Sequence, residues 1–187
     1  MGKKILKLAK IVEPCQRNWD KSFSLSTEHI EYIVQTATTM PTKKNLNSYN
    51  LFCITKKEII RGIYEKAYDI NEGNMMLNQP QIDANLLLIW TYSDSKENDY
   101  DRNTNIGISA GAASLAAAEL GYKTGFCKCF AHDEVKKLLD TIYDIALALG
   151  IGKPDHRFDR TVIVQNNQKV GRRISKGPKN ISVRYID

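Results

Sequence analysis

Nowhere in the 187 residues does an apolar run approach the roughly 20 residues that span a bilayer. Lysines interrupt every apolar run of the basic N-terminus, MGKKILKLAKIVEP. Residues 1–14 therefore lack the h-region of a signal peptide and read as a basic extension that can form an amphipathic surface helix. Gly2 follows Met1, but Leu6 stands where a myristoylation site wants Ser or Thr. No membrane partner is expected. Cysteine is sparse: Cys15, Cys53, Cys127 and Cys129 form no disulfide framework, and a reduced, cytoplasmic setting is the default. Histidine is sparser still, and His29, His132 and His156 are scattered. The C-x-C pair Cys127-Lys128-Cys129 thus has no obvious further ligands for zinc, and no metal is expected. No Gly-rich loop follows the first predicted strand, which excludes a Rossmann or P-loop fingerprint. No zinc finger, RRM or KH signature is present. Aromatic residues are not interleaved with the cations as a single-stranded nucleic-acid platform requires, so nucleic acid is not expected as a partner.

What remains is ordinary globular composition, with 42% apolar and 26% charged residues. The length suits a single domain over 1–187. A net charge of +6 favours anionic partners, a phosphate-bearing cofactor among them.

Periodicity supplies the elements. In LSTEHIEYIVQTATTMP, Ser26 is a candidate N-cap, and Ile30, Ile33, Val34 and Ala37 form one apolar stripe ended by Pro41. NLFCIT reads as a strand. KKEIIRGIYEKAYD reads as a helix with Ile59, Ile60, Ile63, Tyr64 and Ala67 on one face. Residues 71–81 look irregular. The continuous run Leu86 to Trp90 predicts a central strand covered on both faces. SDSKENDYDRN reads as a polar loop. A helix rich in Gly, Ala and Ser then spans 104–120, with Thr104 or Asn105 as cap and Gly121 as terminator. GFCKCF, DIALALGIG and TVIVQ read as extended, and AHDEVKKLLDTIY as a helix. In NISVRYID, residues 180–187, Ile181, Val183 and Tyr185 alternate with Ser182 and Arg184, which predicts a terminal strand seeking its own or a partner's sheet edge. Helices and strands interleave without strict alternation, so the expected class is α+β, with helices packed on a central sheet.

Three basic patches gather chemistry: the opening stretch, residues 16–23 (QRNWDKSF) and residues 172–179 (RRISKGPK). Each offers cations beside amide or hydroxyl groups, a combination that suits phosphate. In order, the chain shows Arg17-x-x-x-Lys21-x-Phe23, a helix, a Pro41-Thr42 connection into a strand, and a small-residue helix ending in Leu120-Gly121-Tyr122. This ordered set resembles the nitroreductase family of flavoproteins over most of the chain.

That resemblance implies a mostly antiparallel sheet flanked by helices in an intertwined homodimer. It implies FMN as cofactor, with no catalytic side chain, since the flavin carries the chemistry. By position, Arg17 would reach the FMN phosphate and Lys21 the pyrimidine end, with Asn18 and Trp19 alongside. The family's Pro-Ser-Ser-x-Asn-x-Gln-x-Trp connection corresponds to Pro41, Thr42, Lys43, Lys44, Asn45, Leu46, Asn47, Ser48 and Tyr49, which would lie over flavin held mainly by the other subunit. Asn78 and Gln81 would meet the pyrimidine edge; the family often has a lysine at the second of these. Cys127, Lys128 and Cys129 replace a Pro-x-Glu-Gly pattern whose backbone faces flavin N5 and O4. Arg160, Arg172, Arg173 and Lys176 are candidates for a second phosphate contact. The implied activity is ping-pong transfer from NAD(P)H to a small electron-poor acceptor, such as a nitroaromatic or a quinone. Alternatives are other flavin chemistry on the same fold (dehalogenation, flavin fragmentation) or a non-enzymatic flavin- or nucleic-acid-binding protein.

Overall fold

The computed structural model describes residues 4–12, 16–66, 80–95, 97–129, 131–157, 164–165, 168–169 and 182–186. Its helices are α1 (Lys4–Ile11), α2 (Thr27–Thr39), α3 (Lys57–Lys66), α4 (Asp99–Glu119) and α5 (His132–Leu138). Its strands are β1 (Tyr49–Ile54), β2 (Leu86–Tyr92), β3 (Lys123–Cys127), β4 (Ile145–Gly152), β5 (Val164–Gln165) and β6 (Gln168–Lys169). The expected α+β class is observed. The main sheet runs β1-β2-β4-β3, every neighbouring pair antiparallel, and β5 pairs with β6 separately.

The apolar run of β2 occupies the middle of the sheet because it has no face for water: Leu86 to Trp90 are all fully buried. Leu86, Leu88 and Trp90 meet Leu149, Ile151 and the inner faces of α2 and α4, through Ile33, Ala37, Ala110, Ala113 and Ala117. Leu87 and Ile89 join Ala148 and Cys127 on the other side, beneath Ile60 and Ile63 of α3 and Val135 of α5. Each fully buried Leu or Ile contributes about 1.5–3 kcal/mol relative to exposure. The indole N–H of Trp90 is matched at this depth: Nε1 donates to Ser109 Oγ of α4 at 2.9 Å.

The α2 cap is as expected, with Ser26 accepting from the His29 backbone N–H. The start of α4 is a correction. Neither Thr104 nor Asn105 caps it; Asn98 does, accepting from the Asp101 N–H at 2.9 Å. Asp99 and Asp101 in the first turn suit the positive end of the helix dipole, so part of the predicted polar loop is helix. At the far end, Gly121 takes φ +81 and terminates α4 as expected. Helix α5 stops at Leu138, short of the predicted span. Residues 182–186 are exposed and carry no strand, so the terminal strand does not form within the described chain.

Candidate functional site

Three glycines clear the floor on which the first half of the site rests. Gly125 of β3 faces Gly150 of β4 in register, and Gly152 lies two residues on. A Cβ on Gly125 would stand 2.6 Å from the carbonyl oxygen of Gln16 and 2.9 Å from Gln81 Cβ. Added Cβ atoms on Gly150 and Gly152 would collide with the Gln81 carbonyl and the Asn85 carboxamide. Two connections, residues 16–23 and 80–85, therefore press directly onto the sheet.

Hydrogen bonds fix them there. The Gln16 N–H donates to Thr124 O at 2.8 Å, Asp20 N–H to Lys153 O at 3.0 Å and Asp155 N–H to Asn18 O at 2.9 Å. Trp19, buried, donates from its indole to Pro80 O at 2.8 Å. Asn85 is the hub: its Nδ2 donates to Asp20 O at 2.8 Å and Phe23 O at 2.9 Å, and its Oδ1 accepts from Lys153 N–H at 3.1 Å. Arg17, Asn18, Trp19, Lys21 and Gln81 thus gather at one end of the sheet.

Within this cluster the Nε of Arg17 and the Oε1 of Gln16 are buried with no hydrogen-bond partner among the described residues. A buried guanidinium N–H with no acceptor is costly, by roughly 1–3 kcal/mol or more for a charged group. An anionic oxygen is the partner it lacks, which fits a phosphate-bearing cofactor at this place. Lys21 is paired within the chain. Its ammonium sits 2.7 Å from the Asp83 carboxylate and also donates to the Asp83 carbonyl. Its side chain is half exposed by area, yet packing around the ammonium lowers its pKa, with Asp83 acting in the opposite direction. Lys57, Arg61, Ala84 and Asn85 join Lys21 and Asp83 around a cavity of about 290 Å³.

The second half of the site lies elsewhere. Pro41, Thr42, Lys43, Asn45 and Asn47 precede β1, whose Tyr49 pairs with Tyr92 at the far end of β2. Seven residues of β2 at about 3.3 Å each put roughly 20 Å between the two groups within one chain. In this connection Lys44 and Asn45 both take φ 55. The left-handed region costs an ordinary L-residue such as Lys44 roughly 1–2 kcal/mol. Thr42 Oγ1 spans the turn, donating to Leu46 O at 2.7 Å. Helix α4 grips Lys43 twice: the buried Asn105 Oδ1 accepts its N–H at 3.0 Å, and Asp101 takes its ammonium at 2.6 Å, holding the lysine pKa above its ordinary value. Asn105 Nδ2 donates to Ser48 Oγ at 2.7 Å and to Glu97 Oε1 at 3.4 Å, and Ser48 in turn donates to Glu97.

Cys127 ends β3 buried among the residues beneath α3 and α5, while Lys128 is exposed and Cys129 half-buried. The Cys129 N–H points at Cys127 Sγ, 3.4 Å away. Cys127 shares its buried cluster with Ile82 of the 80–85 connection. Asn78, Arg160, Arg172, Arg173 and Lys176 lie outside the described residues. Reasoning from sequence missed Gln16, Asp83, Asn85 and Glu97, and placed Asn105 only as a helix cap; no local pattern marks residues whose partners are remote in the chain.

A third surface completes the picture. Between α1, α2 and α4 runs an apolar groove of about 520 Å³, lined by Ile5, Leu8, Tyr32, Ile108, Gly111 and Leu115 among others. The outward glycines of α4, Gly107 and Gly111, have nothing within 4 Å of an added Cβ. No helix among the described residues is long and apolar enough to cross a membrane.

Comparison with known proteins fits this arrangement. The sequence profile of the nitroreductase family matches residues 15–153. No curated protein matches the chain. Among solved structures, NfrA2 of B. megaterium is 22% identical, superposes with a TM-score of 0.69, and the match covers 88% of this chain and 72% of that one. An FMN-dependent nitroreductase of Clostridium difficile R20291 is 17% identical, with a TM-score of 0.68 and coverage of 83% and 90%. An iodotyrosine deiodinase bound to FMN and 3-iodo-L-tyrosine is 20% identical, with a TM-score of 0.67 and coverage of 98% and 99%. With its profile match spanning both halves of the site and the whole main sheet, the chain belongs to the nitroreductase family, the flavoproteins its sequence resembles.

Proposed function

We propose that this protein is an FMN-dependent oxidoreductase that works as a homodimer, taking electrons from NAD(P)H and passing them to a small electron-poor acceptor such as a nitroaromatic or a quinone. The observation that carries the reading is the Nε of Arg17, buried with no hydrogen-bond partner among the described residues, in the cluster formed by residues 16–21 and 80–85. A phosphate oxygen would satisfy it with a charge-assisted hydrogen bond. FMN, when bound, supplies the two-electron chemistry that no side chain of this site offers. The chain's own part is to bind and orient. Arg17, with the Asn18 and Trp19 backbone held against Pro154 and Asp155 just past β4, would take the phosphate end. Gln81, above Gly125 and Gly150, would face the ring's polar edge. Lys128 and the amides of residues 127–129 would serve the reactive edge, and one of Arg160, Arg172, Arg173 and Lys176 would add a second cation at the phosphate.

Two copies are part of the proposal because Arg17 and the 41–47 connection stand roughly 20 Å apart along β2 in one chain. A partner's connection would bring Pro41, Thr42, Lys43, Asn45 and Asn47 to the ring. The apolar groove beside α4 offers the surface for that partner, and the alternating sequence of residues 180–187 would form a strand only by pairing with the partner's sheet edge. The free thiols of Cys53 and Cys129 suit a cytoplasmic location.

A second reading, reductive dehalogenation, is favoured by the deiodinase likeness, which spans nearly the whole of both chains. The absorption spectrum of the purified protein decides the first point. Bands near about 370 and 450 nm are expected, bleached by NADPH or NADH under anaerobic conditions. A colourless protein that takes up no added FMN overturns the proposal. Turnover of iodotyrosine in place of nitroaromatics and quinones would select the second reading.

A further inference from the structure

The connection from α2 to β1 is held in a shape it would not adopt alone. Two successive residues other than glycine, Lys44 and Asn45, have left-handed backbones, and Lys44 stands with φ 55 and ψ 17. Such conformations persist only where the surroundings over-determine them. The surroundings are a buried polar network whose centre is Asn105, 3% exposed on the inner side of α4. Its carboxamide is used at both ends. Oδ1 accepts the Lys43 N–H at 3.0 Å, immediately before the first left-handed residue. Nδ2 donates to Ser48 Oγ at 2.7 Å, just after the connection, and to Glu97 Oε1 at 3.4 Å. Glu97 is in turn fixed by Ser48 and by Ser95 Oγ at 3.2 Å. One turn earlier on α4, Asp101 holds the Lys43 side chain at 2.6 Å. One side chain therefore bridges the two ends of the strained segment, and the backbone between them presents Lys44 and Asn45 outward, both exposed.

We propose that Asn105 is a positioning residue: it locks residues 43–48 in the left-handed turn that meets the flavin of the partner subunit, so that ligand affinity is set from a residue touching no ligand. The inference rests on the FMN reading above. Asn105 contributes no charge and no contact to the cofactor; its work is to remove the conformational freedom that binding would otherwise have to freeze. Alanine at 105 keeps α4 intact, since alanine is the best helix former. It leaves the Lys43 N–H without its acceptor and takes from the Ser48 oxygen the carboxamide donor, while the Ser48 hydroxyl still donates to Glu97.

The test uses the full chain carrying Asn105→Ala and, separately, Ser48→Ala, which removes one arm of the network and leaves α4 untouched. Amide hydrogen exchange without FMN is read at Lys43, with the β2 and β4 amides as internal controls, and FMN affinity is read by fluorescence quenching. In Asn105→Ala, Lys43 exchange is expected to rise about tenfold or more while the sheet amides stay protected, and FMN affinity to fall about tenfold. Ser48→Ala is expected to lower FMN affinity in the same direction by a smaller factor, and it decides the matter if Asn105→Ala does not fold. Unchanged FMN affinity in a variant whose Lys43 amide has been freed overturns the positioning role alone. Unchanged Lys43 exchange overturns the lock. A wild-type protein with no FMN affinity overturns the functional reading on which the inference rests, and the inference with it.

Discussion

Gly125 lies under Gln16 so closely that a Cβ on the glycine would stand 2.6 Å from the Gln16 carbonyl oxygen. Backbone cannot swing aside as a side-chain tip can, and the same oxygen belongs to the segment that carries Arg17. Gly125→Ala should therefore cost about 1–3 kcal/mol, the range for forcing extra volume into a packed site. A urea denaturation series measures it, read as a lower midpoint at unchanged slope. The same variant should bind FMN more weakly, because residues 16–18 must lift from β3. A midpoint equal to wild type would show that this contact yields freely.

Arg17 offers the sharpest test of the phosphate assignment. Its Nε is buried and lacks a hydrogen-bond partner among the described residues. Arg17→Ala removes a charge-assisted bond worth about 1.5–3 kcal/mol, so FMN affinity should fall by roughly 10- to 150-fold. Without FMN the variant should be no less stable than wild type, since the native guanidinium carries an unmet desolvation cost. Titration with FMN and thermal unfolding without it give the two readings. Equal FMN affinity in the variant and wild type would remove Arg17 from the phosphate site.

These two positions show which part of the molecule is legible in the sequence. Strand β2 is, because five consecutive apolar residues from Leu86 to Trp90 can only be interior. So is α2, whose cap and stripe are local. The beginning of α4 is not: Asn98, Asp99 and Asp101 are polar enough to pass for a loop, and the helix they open declares itself only several residues later. The network that shapes the site is harder still. Lys43 and Asn105 are 62 positions apart, and Asn85 reaches Asp20 across 65. Nothing local distinguishes a carboxamide that bridges two connections from one on the surface. Gly125, Gly150 and Gly152 likewise show their purpose only once the overlying backbone is in place.

Asp155 predicts a pH dependence. Its carboxylate accepts from Arg157 Nε at 2.9 Å and Arg157 Nη2 at 2.6 Å, and it also accepts from the Arg157 backbone N–H at 3.1 Å. The Arg157 side-chain hydrogen bond comes first among the causes that hold the Asp155 pKa below the ordinary carboxylate value. A carboxyl group with a depressed folded-state pKa stabilises the fold above its unfolded pKa, and that contribution is lost as pH falls through the folded value. Acidification below the ordinary Asp range should weaken the turn that presents the Asp155 N–H to Asn18 O. The Asp155 carboxyl carbon followed by NMR should titrate below a free aspartate in wild type and move upward in Arg157→Ala. Because Arg157 is largely exposed, solvent screening should keep the accompanying stability change small. A wild-type midpoint at or above the free value would remove the ion pair as its cause.

The outward face of α4 decides whether two chains are needed. Gly111 is exposed and has open space beyond it, in a groove also lined by Ile5, Leu8, Tyr32 and Leu115. In an isolated chain, Gly111→Arg should stabilise α4 by up to about 1 kcal/mol, since glycine is the weakest helix former after proline. Against a second copy the same arginine would bury an unpaired charge at an apolar contact, which breaks association. Light scattering coupled to size exclusion should therefore report a dimer for wild type and a monomer for the variant, with equal helical content by circular dichroism. FMN should be lost together with the dimer, because residues 41–47 of one chain could no longer reach residues 17–21 of the other. A variant that keeps both the dimer mass and its flavin would move the interface away from α4. One that becomes monomeric yet holds FMN as tightly as before would show that a single chain completes the site.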